Sequence, residues 1–167
     1  MAQTLLAVIG PGGPDVDPAL LEAAQEVGSR VAEAGAGVVC GGLDGVMAAA
    51  AAGARRAGGM TVGILPGTDP SHANPDIDIA VPSGLGEARN TLVVRAAAAV
   101  IAIGGGYGTL SEIAFALKTG TPVVGYRTWE LRRDGVVDAG ILVVDTPRHA
   151  AAEALRAGGL TPREVIT

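Results

Sequence analysis

Short apolar runs that end in clusters of glycine recur along this chain, and a helix-forming segment follows each cluster. The clusters occupy residues 10–13, 41–45 and 104–108. Apolar runs bounded by Gly and Pro are typical of buried strands, and their alternation with helices indicates a parallel sheet covered on both faces. Parallel strands end at one edge of their sheet, so the three clusters are expected to meet there. The sequence therefore predicts an α/β fold, a single doubly wound, mostly parallel sheet in a Rossmann-like three-layer α/β/α arrangement.

The same patterns predict the boundaries of the elements. Asp17 and Thr146 are each followed by proline, and Asp or Thr at the N-cap with Pro at the next position is a typical helix start. The length of 167 residues suits one domain, expected to span residues 1–167. The predicted strands are 5–9, 38–40, 61–65, 77–81, 100–103, 122–126 and 141–144, and the predicted helices are 18–34, 46–57, 85–98, 109–118 and 147–157.

Charge and composition exclude several classes of function. Seventeen acidic and twelve basic residues give a net charge of −5, which argues against nucleic acid as a partner. One cysteine and two distant histidines leave no disulfide framework and predict no metal site. No apolar run approaches the roughly 20 residues that a membrane span needs, and the first ten residues lack the features of a signal peptide. We therefore expect a cytoplasmic protein without membrane contact or a bound cofactor.

The third glycine cluster has the features of a phosphate-binding turn. Residues 104–109 read Gly-Gly-Gly-Tyr-Gly-Thr and lead from a strand into a helix. Glycines expose backbone N–H groups, and a helix start adds partial positive charge, so the turn is able to hold phosphate without a lysine. The first cluster departs from the G-x-G-x-x-G spacing, and no acidic residue ends the second strand, so a dinucleotide is disfavoured. A mononucleotide or a sugar phosphate fits these loops better.

Glu112 has two interpretations from the sequence. Thr109 and Glu112 have the spacing of a capping box, in which the glutamate would only bond the backbone at the helix start. Alternatively, the carboxylate lies beside a bound phosphate ester, where it stabilises positive charge on a sugar or orients a water molecule.

Arg89 is unusual because helical periodicity places it in an apolar stripe. In a continuous helix over 85–98, Leu85, Leu92 and Val93 share its face. An arginine there must be paired or must reach past the core. It is expected either to form an ion pair with Glu87 or another acid, or to reach the ends of the strands.

Other polar residues at this edge are expected to have structural roles. Asp15, Asp44 and Asn74 lie in the loops of the predicted ligand edge, where Asp and Asn are typical of turns and caps. From its place in a helix, Met47 is expected to pack in the core.

Several of these motifs together resemble those of the LOG-like family, formerly labelled lysine decarboxylase-like. This Rossmann-like group includes cytokinin-activating phosphoribohydrolases and molybdenum-cofactor carrier proteins. The resemblance covers residues 4 to about 126, and Arg89 precedes Glu112 by the 23 residues (112 − 89 = 23) that look like the family's spacing. The matching segments are Gly41-Gly42-x-x-Gly45-Val46-Met47, Gly63-Ile64-Leu65-Pro66, Arg89, and Gly105-Gly106-Tyr107-Gly108-Thr109-Leu110-Ser111-Glu112.

The resemblance implies a nucleotide site, a reaction and an assembly. Arg89 and Glu112 would be a catalytic pair that cleaves the N-glycosidic bond of an adenosine-type 5′-monophosphate, releasing base and ribose 5-phosphate. It also implies a homodimer. The residues expected to bind the phosphate or the rest of the nucleotide are Gly10, Gly12, Gly41, Gly42, Gly45, Met47, Asn90, Gly105, Gly106, Tyr107, Gly108 and Thr109.

Three departures from the activating enzymes keep a second function open. Gly104 stands where their motif begins with proline, Asn90 stands where they usually carry lysine, and serine is missing after Gly10. The first hypothesis is a nucleoside 5′-monophosphate phosphoribohydrolase. The second is a non-catalytic carrier or sensor that binds a nucleotide or a phosphorylated pterin (molybdenum) cofactor, because a fold and a phosphate loop do not imply turnover.

Overall fold

Strands and helices alternate along the chain, as the sequence predicts. The computed structural model describes residues 3–160. The strands are β1 (Leu5–Ile9), β2 (Gly37–Cys40), β3 (Thr61–Leu65), β4 (Ile79–Pro82), β5 (Ala99–Ile103), β6 (Val123–Tyr126), β7 (Arg132–Arg133), β8 (Val136–Val137) and β9 (Ile141–Val144). The helices are α1 (Pro18–Glu33), α2 (Val46–Arg56), α3 (Asn90–Arg95), α4 (Tyr107–Thr119) and α5 (Pro147–Ala157), with short 3₁₀ turns at Pro70–His72 and Gly86–Arg89.

Seven strands form one parallel sheet in the order β4-β3-β2-β1-β5-β6-β9. The direction of winding reverses at β1, which pairs with β2 on one side and β5 on the other. Ligands of open α/β sheets bind beside the carboxyl ends of the strands at such a reversal. The doubly wound α/β fold predicted from the sequence is confirmed, and it brings the loops after β1, β2 and β5 together.

Apolar side chains fill two layers, one on each face of the sheet. α1, α2 and α5 cover one face through residues such as Val27, Ala50 and Ala154, while α3 and α4 cover the other through Val93 and Ile113. The predicted caps are also present. Asp17 accepts a hydrogen bond from the N–H of Ala19 at 2.9 Å, and Thr146 accepts one from His149 at 3.1 Å.

The structure differs from the sequence prediction in one helix and in one unpredicted hairpin. The predicted helix over 85–98 is instead a 3₁₀ turn followed by the six-residue α3, so Leu85 and Leu92 are exposed rather than part of an apolar stripe with Arg89. The small hairpin of β7 and β8 was not predicted; its turn has Asp134 and Gly135 at positive φ, as an Asp-Gly hairpin turn requires. In residues 3–160, no helix has the length and apolar character needed to cross a membrane.

Candidate functional site

The turn between β5 and α4 presents a row of free backbone donors. Gly104 and Gly105 have φ of 61° and 141°, values that favour glycine. α4 begins at Tyr107, and its first backbone acceptor is the carbonyl of Gly106, which pairs with Leu110 at 3.0 Å. Within the described range 3–160, no acceptor pairs with the N–H groups of residues 105–109. These donors lie at the positive end of a 13-residue helix, an arrangement suited to an anion.

The helix start at Tyr107 overturns the capping-box interpretation of Glu112. The N-cap is Gly106, so Glu112 lies more than a turn inside the helix and is too far along to bond the cap's backbone. No hydrogen bond joins its side chain to another described residue, although only 7% of the residue is exposed. The carboxyl group is therefore free to act toward the space it faces.

Arg89 reaches beneath the loop after β2. Its Nη2 lies 3.4 Å from the carbonyl oxygen of Gly41, its Nη1 donates to Oδ1 of Asn90, and the buried Nε has no partner in the part of the chain that the structure describes. A Cβ on Gly41 would lie 2.6 Å from Nη2, so glycine is needed there to admit the guanidinium. The expected ion pair with Glu87 is not formed: within residues 3–160, no carboxylate lies within 4.0 Å of Arg89.

Asn90 links the arginine to the first turn of α4. Its Nδ2 lies 3.4 Å from Oγ of Ser111, which donates to the carbonyl of Gly108 at 2.6 Å. The guanidinium and the free amides of the glycine turn are thus connected through side chains. The site holds a buried cation next to a row of N–H donors.

Burial controls the acidity of Glu112. Desolvation raises its pKa from 4.5 to about 7, against the opposing effect of the Arg89 charge. Burial disfavours the charged form of a carboxyl group, and a nearby cation favours it. Near neutral pH the carboxyl group is therefore divided between its protonated and ionised forms, which is the condition for a group that exchanges protons with a ligand.

The raised pKa predicts a pH-dependent stability that Glu112→Gln removes. Between pH 4.5 and about 7, the folded protein holds a proton that the unfolded chain releases, so stability falls as the pH rises through this window. Glutamine does not titrate, so it adds no such loss of stability at higher pH. We expect the free energy of unfolding of the variant, relative to that of the parent protein, to be larger (more stabilising) by about 2 kcal/mol at pH 8 than at pH 5, measured by urea unfolding.

Glu22→Gln supplies the matched control for this comparison. Glu22 is an exposed residue of α1, and its replacement removes the same formal charge. It should follow the pH dependence of the parent protein. If Glu112→Gln did so as well, the carboxyl group would not carry the raised pKa.

A cavity of about 300 Å³ contains these groups. Eight residues proposed from the sequence line it, and they come from six different loops, turns and helices. Five further lining residues were not proposed as site residues. The eight lining residues proposed from the sequence are Gly10, Gly41, Met47, Arg89, Asn90, Gly108, Thr109 and Glu112. The five others are Val8, Ile9, Leu43, Pro66 and Glu87.

Met47 belongs to this cavity rather than to the core. The residue is partly exposed, and its Sδ lies 2.7 Å from where a Cβ on Gly41 would be. Its terminal methyl group lies 3.2 Å from the corresponding point on Gly12. Gly12 itself does not line the cavity, so its contribution is to leave room for Met47.

The other proposed glycines lie around the cavity and shape its loops. Gly42 packs against Gly63 of β3, and Gly45 packs against the carbonyl of Pro11, where no Cβ fits. Gly105 lies against Thr109, and Gly106 accepts a hydrogen bond from Nε1 of Trp129 at 3.2 Å.

Tyr107 also lies outside the cavity. It is 83% exposed and packs against the Trp129 ring, with centroids 5.9 Å apart. The aromatic pair therefore supports the outer side of the glycine turn.

Side-chain hydrogen bonds hold the first two loops in place. Oδ1 of Asp44 accepts from the N–H of Gly13 at 2.8 Å, and Nδ2 of Asn74 donates to the carbonyl of Leu43 at 2.8 Å. Both residues have the turn roles expected from the sequence. The side chain of Asp15 is exposed and has no such bond to any of residues 3–160.

Comparison with known proteins agrees with this fold. A protein from Archaeoglobus fulgidus is 41% identical over 145 residues, which cover 87% of this chain and 90% of that protein. The molybdenum cofactor binding protein from Rippkaea orientalis is 32% identical with a TM-score of 0.82, over 94% of this chain and 98% of the other. The molybdenum cofactor carrier protein from Chlamydomonas reinhardtii is 33% identical with a TM-score of 0.82, over 93% and 98%.

The family model that matches this chain spans both the first strand and the glycine turn. It is that of the SLOG cluster4 family, and the match runs over residues 3–151. All the residues that line the cavity fall inside that range. The chain therefore belongs to the SLOG cluster4 family.

Proposed function

We propose that this protein binds and carries a phosphorylated small molecule, either the phosphorylated pterin of the molybdenum cofactor or a nucleotide. The observation that carries the proposal is that, among residues 3–160, the amides of residues 105–109 are unpaired, and that Gly108 and Thr109 line the same cavity as the buried guanidinium of Arg89. A phosphate group satisfies both sets of donors, and charge-assisted hydrogen bonds of this kind are strong.

The size of the cavity suits one organic ligand. Its volume of about 300 Å³ lies at the lower end of the range for small-molecule sites. Val8, Ile9 and Met47 supply apolar walls, while Arg89 and Glu112 supply polar groups. Apolar walls with a few convergent polar groups are typical of cofactor and nucleotide sites.

The solved relatives favour the cofactor over the nucleotide as the ligand. Both the Rippkaea orientalis and the Chlamydomonas reinhardtii proteins are described as binding or carrying the molybdenum cofactor, and each is matched over 98% of its length. Carriage requires tight binding without turnover. The absence of a direct ion pair between Arg89 and Glu112, within the described residues, leaves the guanidinium available to the ligand's phosphate.

A phosphoribohydrolase is the second candidate, and one observation favours it. Glu112 and Arg89 line the same cavity, and burial brings the pKa of Glu112 to about 7. In its ionised form the carboxylate would stabilise the positive charge that develops on a ribosyl carbon and position the attacking water. Binding of the 5′-phosphate would supply the orientation. Hydrolysis of the N-glycosidic bond is the specific reaction that the resemblance to the LOG-like family implies.

One experiment separates the two candidates. The purified protein is incubated with molybdenum cofactor and, separately, with AMP, GMP and N6-modified analogues, and bound and released molecules are identified by chromatography and mass spectrometry. A carrier should retain its ligand unchanged. A hydrolase should release free base, and the rate should rise with pH around 7 and vanish in Glu112→Gln. Failure to bind any of these phosphorylated molecules would contradict both candidates.

We also propose that two copies associate. The exposed apolar residues of the edge strand β4 are Ile79 and Val81, at 47% and 41% exposure, and within residues 3–160 β4 pairs with β3 alone. Burial of such residues between copies removes apolar surface from water. The homodimer is the assembly that the family resemblance implies.

A further inference from the structure

Glu87 is an exposed acidic residue of the cavity, and its negative charge conflicts with phosphate binding. It lines the same cavity as Arg89 and Glu112, and it is exposed whereas those two are buried. Within residues 3–160, no Lys, Arg or His nitrogen lies within 4.0 Å of its carboxylate, and no hydrogen bond fixes it. A carboxylate without a protein partner at the edge of this cavity is free to accept hydrogen bonds from a ligand.

The 3₁₀ turn separates Glu87 from the phosphate-binding cation. Glu87 and Arg89 lie two positions apart in Gly86–Arg89, and a 3₁₀ helix has three residues per turn. Their side chains therefore leave the backbone in different directions. Arg89 goes inward beneath Gly41, while Glu87 stays on the solvent side of the cavity.

These positions give the cavity two chemically different ends. The inner end contains the buried Thr109 and the Arg89 guanidinium, with a Glu112 carboxyl group that burial keeps partly protonated near neutral pH. The outer end contains a carboxylate, which acts only as an acceptor and is able to receive two hydrogen bonds at once. A ligand that fits both ends has a phosphate at one end and two adjacent N–H donors at the other.

We propose that Glu87 selects ligands with a 2-amino-4-oxopyrimidine edge, the edge shared by guanine and pterin, through paired hydrogen bonds to its two carboxylate oxygens. The ring N–H and the exocyclic amino group of this edge are adjacent donors that match a carboxylate. Adenine presents one donor beside a ring nitrogen acceptor, which a carboxylate oxygen repels. Hypoxanthine keeps the ring N–H but lacks the amino group. The inference rests on the proposed function, since it assumes that a phosphate anchors the ligand.

Affinity for a graded set of ligands tests this role. Dissociation constants of GMP, IMP, AMP and neopterin phosphate are measured by isothermal titration calorimetry on the full chain. We expect GMP to bind about tenfold or more tightly than AMP, with IMP between them, because hydrogen bonds to a charged group contribute about 1.5–3 kcal/mol. Glutamine offers one acceptor and one donor, a pattern that fits adenine. Glu87→Gln should therefore bring the GMP and AMP affinities to within about threefold and weaken neopterin phosphate.

Glu22→Gln on α1 removes an equal charge outside the cavity and should leave every affinity unchanged. Thermal unfolding of both variants checks that each is folded. Equal binding of GMP and AMP by the parent protein, or a preference that survives in Glu87→Gln, would overturn the role of Glu87 while leaving phosphate binding intact. Binding of molybdenum cofactor but of none of the four ligands would overturn the inference alone, whereas failure to bind the cofactor as well would contradict the proposed function.

Discussion

Arg89→Ala is expected to weaken binding of the phosphorylated ligand by about 100-fold, because removal of one member of a buried charged contact costs about 2–5 kcal/mol. Arg89 as a residue is 9% exposed, and its Nε has no partner in the described protein. A ligand phosphate is the group that would complete its hydrogen bonding. Calorimetric titration of the parent and variant proteins with molybdenum cofactor or GMP measures the loss.

The stability of Arg89→Ala should change little or increase. A buried charge without a carboxylate partner is expensive to desolvate, and its replacement by an apolar side chain is often neutral or stabilising. Removal of the arginine should also raise the pKa of Glu112 further, because the Arg89 charge now lowers it. This rise is measurable by NMR titration of the carboxyl group.

Arg95→Ala is the matched control. Arg95 ends α3 with its guanidinium carbon 5.4 Å from the centre of the Phe115 ring, and it is exposed. Its loss changes the net charge equally without touching the cavity, so affinity should stay within about twofold. A large drop in the stability of Arg89→Ala with unchanged affinity would mean that Arg89 serves the fold alone.

The fold could be predicted because its signals are local. Each strand of the large sheet is a short apolar run between breaking residues, and α1 and α5 begin at Asp17-Pro18 and Thr146-Pro147. The same locality explains the failure at 85–98. Helical periodicity assumes an unbroken α-helix, whereas Gly86 has φ of 57° and a 3₁₀ turn follows. The hairpin carried a local signal as well, the Asp134-Gly135 pair, but strands of two residues have no alternation to detect.

The site was less accessible to sequence reasoning because it depends on tertiary contacts. Spacing alone gave Glu112 a capping role, and only the resemblance placed it with Arg89. The two line the same cavity because α3, which directly follows Arg89, and α4 pack on one face of the sheet. Glu87 was considered only as a partner for Arg89. No pattern in the sequence shows that its carboxylate stays unpaired at the mouth of a cavity, because that depends on the 3₁₀ turn and on every neighbouring charge.

Gly108→Val is expected to block the ligand while leaving the fold at least as stable. Gly108 lines the cavity, and a Cβ added there would meet no atom within 4 Å. It lies in the first turn of α4, where glycine is a poorer helix former than valine by a few tenths of a kcal/mol. The new side chain would occupy the space where a phosphate approaches the amides. We expect affinity to fall by about 30-fold, or about 2 kcal/mol, measured by titration with the ligand that the parent protein binds.

The opposite signs of the two effects make this substitution informative. A residue important only for folding would lose stability and binding together, whereas Gly108→Val should keep or raise the melting temperature as binding falls. Ala114→Val adds bulk on the exposed side of the same helix and should leave affinity unchanged. Full affinity in Gly108→Val would place the phosphate away from the amides of residues 105–109, since a branched side chain and a phosphate cannot share that space. The turn at residues 105–109 would then not be the phosphate-binding part of the site.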